Sequence, residues 1–529
     1  MDVFEIVIAL LLGGAGLAAL ARHMATPYPA LVAMAGAALA LIPGVPTLVL
    51  DPELALALFV APVLLDAAFD ASPRDLRANW RTVASLALGA VALTIAVVAV
   101  VVRALMPDMP WAAAIALGAI VAPPDAAAAT AVLKQLRPPH RLLVILEGES
   151  LFNDASALLV YRLAVGATVV GFLSGWSVLP MLLVVTIGSV ILGLALSRVI
   201  FVVNRRIEDV ATAVIVQFCG TFGVWLLAER LHLSGILTMV VFAMATSRRA
   251  ADVIPARIRV PSYAVWEVAV FVLNLLAFIL VGFQLKLIVG RFDRATWMEY
   301  GWIAAAVCLT TILARIVWVS GAAGLSRWWC RPRKDGVAGP RDLVALSPGA
   351  ATVVGWCGMR GTVTLAAALA LPENFPYRDL TLFTAFAVVL GTLVAQGMTL
   401  RPLLNVLKLE DDGEVEREIR LARVETLRAA LEAANECPGA ETAELVRRRY
   451  ALLLRRAELE VAAETPNAGD LEEWRVNPED ADVVREAAAA ERRRLMALRA
   501  DGTIGDAAFQ KIEEELDWEE LGLQQLVRA

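Results

Sequence analysis

Apolar runs separated by short polar loops recur from Val3 to about residue 405 and then stop. Crossing a hydrocarbon core roughly 30 Å thick takes about 20 such residues in a helix. Windows of that length predict thirteen spans, starting near Val3, Tyr28, Leu54, Val83, Trp111, Leu146, Val178, Asp209, Leu233, Val265, Trp302, Ala345 and Leu380. The loops between them alternate in charge. One set carries Arg22; Arg74, Arg77 and Arg81; Lys134, Arg137 and Arg141; Arg205 and Arg206; Arg248, Arg249, Arg257 and Arg259; Arg327, Arg331, Arg333, Lys334 and Arg341; then Arg401. The other carries only a few basic residues, such as Arg230, Lys286, Arg291, Arg294 and Arg378. Cytoplasmic loops collect Lys and Arg, so the N-terminus is predicted outside and the C-terminus inside, which an odd number of spans requires.

Past Leu409 the pattern changes to Glu, Arg, Ala and Leu. Glu414–Glu432 and Glu441–Glu464 read as amphipathic helices separated by Asn435-Glu436-Cys437-Pro438-Gly439. Further helices are expected from about Ala481 to Arg499 and over Phe509–Leu526. The chain therefore divides into an all-α transmembrane domain, 1–405, and a helical cytoplasmic tail, 410–529. The tail could regulate, dimerise or decorate.

Two spans are interrupted. Pro123-Pro124-Asp125 falls in the middle of span 5, and Gly355-Trp356-Cys357-Gly358-Met359-Arg360-Gly361 in the middle of span 12. Prolines 123 and 124 and glycines such as Gly358 and Gly361 open the backbone ladder, which lipid tolerates only where protein or a water-filled cavity satisfies the freed groups. The two spans are seven apart. If spans 1–6 and 8–13 are inverted repeats, the breaks occupy equivalent places with opposite orientation, as in transporters.

The most polar membrane-depth stretch is Leu146-Glu147-Gly148-Glu149-Ser150-Leu151-Phe152-Asn153-Asp154-Ala155, in span 6. A charge at the bilayer centre costs roughly 2.5–3.5 kcal/mol on insertion scales, so intramembrane acids usually face a cavity or a partner and mark ion paths. At 100° per residue, Ser150 and Asp154 share one helix face and Glu149 and Asn153 the neighbouring one. One face can hold an ion while the other locks to a partner; a polar seam gluing helices together is the plainer alternative. If Asp125 approaches Asp154, two carboxylates share a poorly solvated cavity, and a proton is held there unless a cation replaces it. Ser150 and freed carbonyls could add oxygen ligands for a monovalent cation. Competition combined with alternating access gives exchange. Arg360 is the expected partner of Glu149, as a structural ion pair. For Asp66 and Asp70, at the cytoplasmic end of span 3, a solvated or capping role and a functional one stand equally, and Arg162, Glu267 and Arg315 are read as structurally paired or snorkelling. His23, His140 and His232 fall in loops or at span ends.

Composition agrees with a polytopic membrane protein: 59% hydrophobic and 19% charged residues in 529 positions. The net charge of -6 comes largely from the tail and implies no nucleic-acid partner. The five cysteines are scattered without a CxxC or a histidine cluster, which leaves disulfide and transition-metal readings unsupported. The N-terminal Met1-Asp2-Val3-Phe4-Glu5 is acidic and runs straight into a span, so it is read as a retained first helix.

These motifs resemble the Na+/H+ antiporters of the NhaP and NHE branch of monovalent cation:proton antiporters, over roughly 1–405. The resemblance rests on Gly118-Ala119-Ile120-Val121-Ala122-Pro123-Pro124-Asp125, on the span 6 stretch, on Phe278-Ile279-Leu280-Val281-Gly282-Phe283-Gln284-Leu285, and on Gly358-Met359-Arg360-Gly361. It implies thirteen helices in core and dimer domains, elevator-like movement, a homodimer in the plasma membrane, and a transporter rather than an enzyme, needing no cofactor. It assigns Asp154 as the essential cation- and proton-binding carboxylate, Asp125 as the acid at the helix crossing, Asn153 as the partner typical of electroneutral members, Ser150 as a ligand, and Glu149 with Arg360 as a stabilising pair. Many members read Thr-Asp-Pro where this chain has Pro124-Asp125-Ala126, which leaves Na+ against Li+ or K+ open. The tail from Asp501 to Asp517 also resembles tails of bacterial members. K+/H+ exchange through the same residues, a cation channel and a non-transporting sensor are the competing readings; a filter sequence such as TVGYG is absent.

Overall fold

The computed structural model describes residues 3–24, 26–40, 54, 56–125, 129–130, 133, 138–170, 175–289, 294–329, 347–409, 413–436, 441–462 and four isolated tail positions. Ala126, the loop residues Lys134 and Arg137, Arg291, the basic loop 330–346 and the tail helices expected past Ala462 lie outside the described residues, as do the side chains of Val281 to Leu285. Among the described residues every regular element is helical. The chain separates into two compact units, Met1–Asp412 and Gly413–Ala529.

The first unit opens with α1 (Val3–Met24) and α2 (Tyr28–Ala40), then a π-helical turn, Leu56–Val60, leading into α3 (Ala61–Asp70). Next come α4 (Pro73–Ala84) and α5 (Val91–Leu105), joined through a second π-helical stretch, Ser85–Ala90. Then follow α6 (Trp111–Val121), α7 (His140–Val170), α8 (Gly175–Asn204), α9 (Val210–Arg230), α10 (Gly235–Val253), α11 (Ala256–Val289) and α12 (Arg294–Trp329). The unit closes with two short helices, α13 (Pro348–Trp356) and α14 (Thr362–Leu369), and with α15 (Arg378–Leu407). Among the described residues, seven helical stretches are long and apolar enough to cross a membrane. In the second unit α16 (Glu414–Glu436) packs on α17 (Glu441–Ala462), with an Arg428–Glu458 ion pair at 3.0 Å.

Several helix starts are written in the sequence. Ser72, Asp209, Ser234 and Ser347 each accept a hydrogen bond from the backbone N–H three residues on, at α4, α9, α10 and α13, and Pro73 and Pro348 occupy first helical positions. These side chains supply partners for N–H groups that have none within a helix. The π-helical stretch at Ser85–Ala90 widens the turn, and neighbours use what it exposes. Ser156 Oγ donates to Ala87 O at 2.8 Å, and Trp318 Nε1 donates to Ser85 O at 3.1 Å.

The largest buried apolar cluster draws on α5, α6, α7, α12, α13 and α15, together with α2. Alanines and glycines dominate α6, because close helix approach rather than expulsion of water drives packing in lipid. A Cβ at Gly118 would lie 2.8 Å from the Ile95 carbonyl oxygen, so α5 and α6 meet this closely only over a glycine. A second cluster joins Leu64 of α3, Val224 and Trp225 of α9, and Ile236, Met239 and Phe242 of α10. By contrast, α8 turns Leu183, Val184, Ile187 and Ile191 outward. An exposed apolar face of that size is unfavourable in water and suits hydrocarbon.

Candidate functional site

The two interruptions cross. Helix α6 ends at Val121 and the chain runs on through Pro123, Pro124 and Asp125 without helical structure, while Cys357 to Gly361 separates α13 from α14. Asp125 N–H donates to Met359 O at 2.7 Å, tying one break to the other.

Each break supplies what the other lacks. The last carbonyls of a half-helix carry partial negative charge and have no partner within it, and the first N–H groups of the next carry the opposite. Arg360, 1% exposed, donates through Nε to Val121 O at 2.8 Å and through Nη2 to Ala122 O at 3.2 Å, closing the C-terminal end of α6. Its Nη1 reaches Gly358 O, and its own N–H donates to Thr392 Oγ1 of α15 at 3.0 Å. In the reverse direction, the Asp125 carboxylate rests against Gly361 at the start of α14, where a Cβ would fall 1.6 Å from Asp125 Oδ2. No other residue type leaves that space. Pro124 O, freed by the break, accepts from Asn153 Nδ2 at 3.0 Å.

Glu149 has a different partner from the one the sequence suggested. The expected pair was Glu149 with Arg360; in the structure Arg315 of α12 binds Glu149 through both terminal guanidinium nitrogens, Nη1 to Oε1 and Nη2 to Oε2, the latter at 2.8 Å. Glu149 is 1% and Arg315 2% exposed, so each charge is compensated chiefly by the other. Arg315 Nε also donates to Val354 O at 3.1 Å, in the last turn of α13. The reason for the exchange of partners is local. Arg360 lies inside a break and its guanidinium is taken up by carbonyls, whereas Arg315 arrives from a continuous neighbouring helix with its fork free for a planar carboxylate. Arg162, also read as structurally paired, meets Glu229 of α9 at 2.8 Å.

On the other face of α7, Ser150 and Asp154 line a cavity of about 290 Å³ that Asp125 and Gly361 also line. Asn153 is fully buried, and its Oδ1 has no hydrogen-bond partner. For Asp66 and Asp70 the structure meets both alternatives: each lines this cavity, with Tyr28 of α2 and Asn274 of α11, while Asp70, the last residue of α3, is exposed. Intramembrane acids were the available signal for Asp66; for Tyr28 and Asn274 the sequence held none. The same four residues also line an adjoining cavity of about 500 Å³ between α3, α9, α10 and α11. Acidic oxygens, a hydroxyl and half-helix ends around one small volume can hold a cation or a proton.

A family model described as the transmembrane sodium/hydrogen exchanger matches residues 6–406. A Mycobacterium tuberculosis protein named an uncharacterized Na+/H+ exchanger is 30% identical over 516 residues, 94% of this chain and 91% of that one. A Bacillus subtilis sodium, potassium, lithium and rubidium/H+ antiporter is 30% identical over 379 residues, 67% of this chain and 54% of that one. Among solved structures, the sodium proton antiporter MjNhaP1 from Methanocaldococcus jannaschii superposes with a TM-score of 0.59 at 17% identity, covering 77% of this chain and 98% of that one, a likeness of fold. The apolar helices, the crossed breaks and these matches agree that the chain is a multi-pass membrane transporter and belongs to the sodium/hydrogen exchanger family.

Proposed function

We propose that the protein exchanges Na+ for H+ one for one, by alternating access at a single site where proton and cation compete. The observation that carries this reading is that Asp125, from the break in span 5, and Asp154, from span 6, line one small cavity at the helix crossing. Asp154 is the carboxylate that alternates between proton and cation, Asp125 is the second acid, and Ser150 and the freed backbone supply oxygen ligands. Asn153 bonds the broken backbone through its amide and adds no third charge, so loading one monovalent cation releases one proton and net charge is unchanged. Glu149 stays outside this exchange because Arg315 holds it.

Further elements belong to the same reading. The membrane unit is thirteen spans in two inverted repeats, spans 1–6 and 8–13, which the crossing of the two breaks, tied by the Asp125 N–H to Met359 O, supports. It works as a homodimer in the plasma membrane, N-terminus outside, with the helical tail on the cytoplasmic side, and serves pH homeostasis. Li+ and K+ are the alternative cargo, favoured by the ion range in the name of the Bacillus subtilis relative and by Pro124 in place of a hydroxyl beside Asp125.

The test is dequenching of a pH-sensitive dye in everted vesicles from an antiporter-deficient host, with Na+, Li+ and K+ added in turn, beside Asp154→Ala. Collapse of the proton gradient by one cation, only with the intact aspartate, is expected and reads the selectivity directly. Wild-type exchange by Asp154→Ala would overturn the site, and no exchange with any cation across a broad pH range would overturn the transport reading in favour of a sensor.

A further inference from the structure

A separate groove of about 640 Å³ runs between the α4–α5 stretch and α12, open to the side of the unit. Its two ends differ in chemistry. At one end stand Arg81, Thr82 and Ser85, with Ser326 of α12 opposite. Its apolar walls are formed by Leu86, Leu93, Val317, Trp318, Ala322 and Leu325, with Val317 and Leu325 exposed at the rim. From Arg81 to Leu93 the helical rise spans roughly 18 Å, more than half of one membrane's hydrocarbon thickness. The floor is fixed: Trp318 Nε1 is held by Ser85, and a Cβ at Gly89 would lie 2.1 Å from its ring, so the indole lies flat against a glycine.

The polar end is cationic. Arg81 is exposed and stacks on the exposed Trp80, with its guanidinium carbon 5.7 Å from the ring centroid. Arg77 is exposed one helical turn earlier on the same face, and neither arginine forms an ion pair among the described residues. Trp80 beside the arginines marks the depth at which aromatic side chains meet lipid headgroups. A guanidinium offers paired N–H donors that match a phosphate, and stacking on an aromatic face leaves those edges available.

We propose that this groove binds one anionic phospholipid, its phosphate at Arg77 and Arg81 and one acyl chain along the slot over Trp318. The charge of the mouth selects the headgroup, and the apolar depth suits a hydrocarbon chain. Because α12 also carries Arg315, the lipid contacts the helix that neutralises Glu149, one turn from that pair.

The test compares wild type, Arg77→Gln/Arg81→Gln and Ala322→Trp, each purified in mild detergent from membranes containing phosphatidylglycerol and phosphatidylethanolamine, by native mass spectrometry. Wild type is expected to retain phosphatidylglycerol in preference. The double variant should lose that preference by about fivefold per arginine removed while still carrying lipid, and Ala322→Trp, which fills the slot, should shed both lipids. Equal phosphatidylglycerol retention in wild type and the arginine variant overturns the proposal, and that comparison stands alone if the tryptophan variant does not fold. Efficient disulfide cross-linking of two Ala322→Cys chains in membranes would also overturn it, by putting a second copy in the groove.

Discussion

Replacing Arg315 by methionine keeps most of the side-chain length and removes the charge that compensates Glu149. The carboxylate is then buried at 1% exposure, having lost a two-nitrogen bond that includes the 2.8 Å contact, and Val354 O loses its 3.1 Å donor. Breaking a buried pair by removing one partner costs about 3–5 kcal/mol. Loss of a carbonyl's bond to a charged donor adds roughly 1.5–3 kcal/mol. Removing both charges is different: Glu149→Leu/Arg315→Met leaves no stranded ion, so most of the first cost should be recovered. Arg360→Met acts by another route, uncovering Val121 O and Ala122 O at the end of α6, and Glu149→Leu should restore little of it. The assay is a double-mutant cycle on equilibrium unfolding of the purified protein in mixed detergent, with Glu149→Leu crossed against each arginine in turn. Strong coupling of Glu149 to Arg315 and weak coupling to Arg360 are expected. Coupling that is larger with Arg360 would refute the assignment.

Two further outcomes follow from the crossing. Gly361→Ala places a methyl where the Asp125 carboxylate sits, 1.6 Å from Oδ2, so Asp125 must move; exchange in vesicles is expected to fall by an order of magnitude or more, about the cost of misplacing a reacting group by an ångström. Wild-type rates in that variant would show that Asp125 has no positional role. Because proton and cation compete for Asp154 in the proposed cycle, the half-saturating Na+ concentration should rise as pH falls, by up to about tenfold per unit once the site is mostly protonated. A pH-independent value, measured by dye dequenching across a Na+ series, would separate the proton path from the cation site.

Much of this protein was legible as one-dimensional pattern. Apolar run length and the change of composition after Leu409 fixed the class of structure. Periodicity also sorted the α7 residues: Ser150 and Asp154, four apart, line one cavity, while Glu149 on the next face turns to α12. Backbone breakers located the crossing, since proline and clustered glycine interrupt helices whatever surrounds them.

What sequence could not decide was pairing over distance. Two buried arginines stood available to Glu149, and nothing local ranks Arg315, 166 residues away, against Arg360. The packing of α12 against α5, α13 and α15 settled it by aiming Arg315 at Glu149, with the half-helix ends claiming Arg360 for their carbonyls. Asp66, Tyr28 and Asn274 reach the same cavity only because α2, α3 and α11 converge there. Hydropathy and periodicity are properties of a helix by itself, whereas the partner of a buried charge depends on which helices lie side by side, and that exists only in the folded chain.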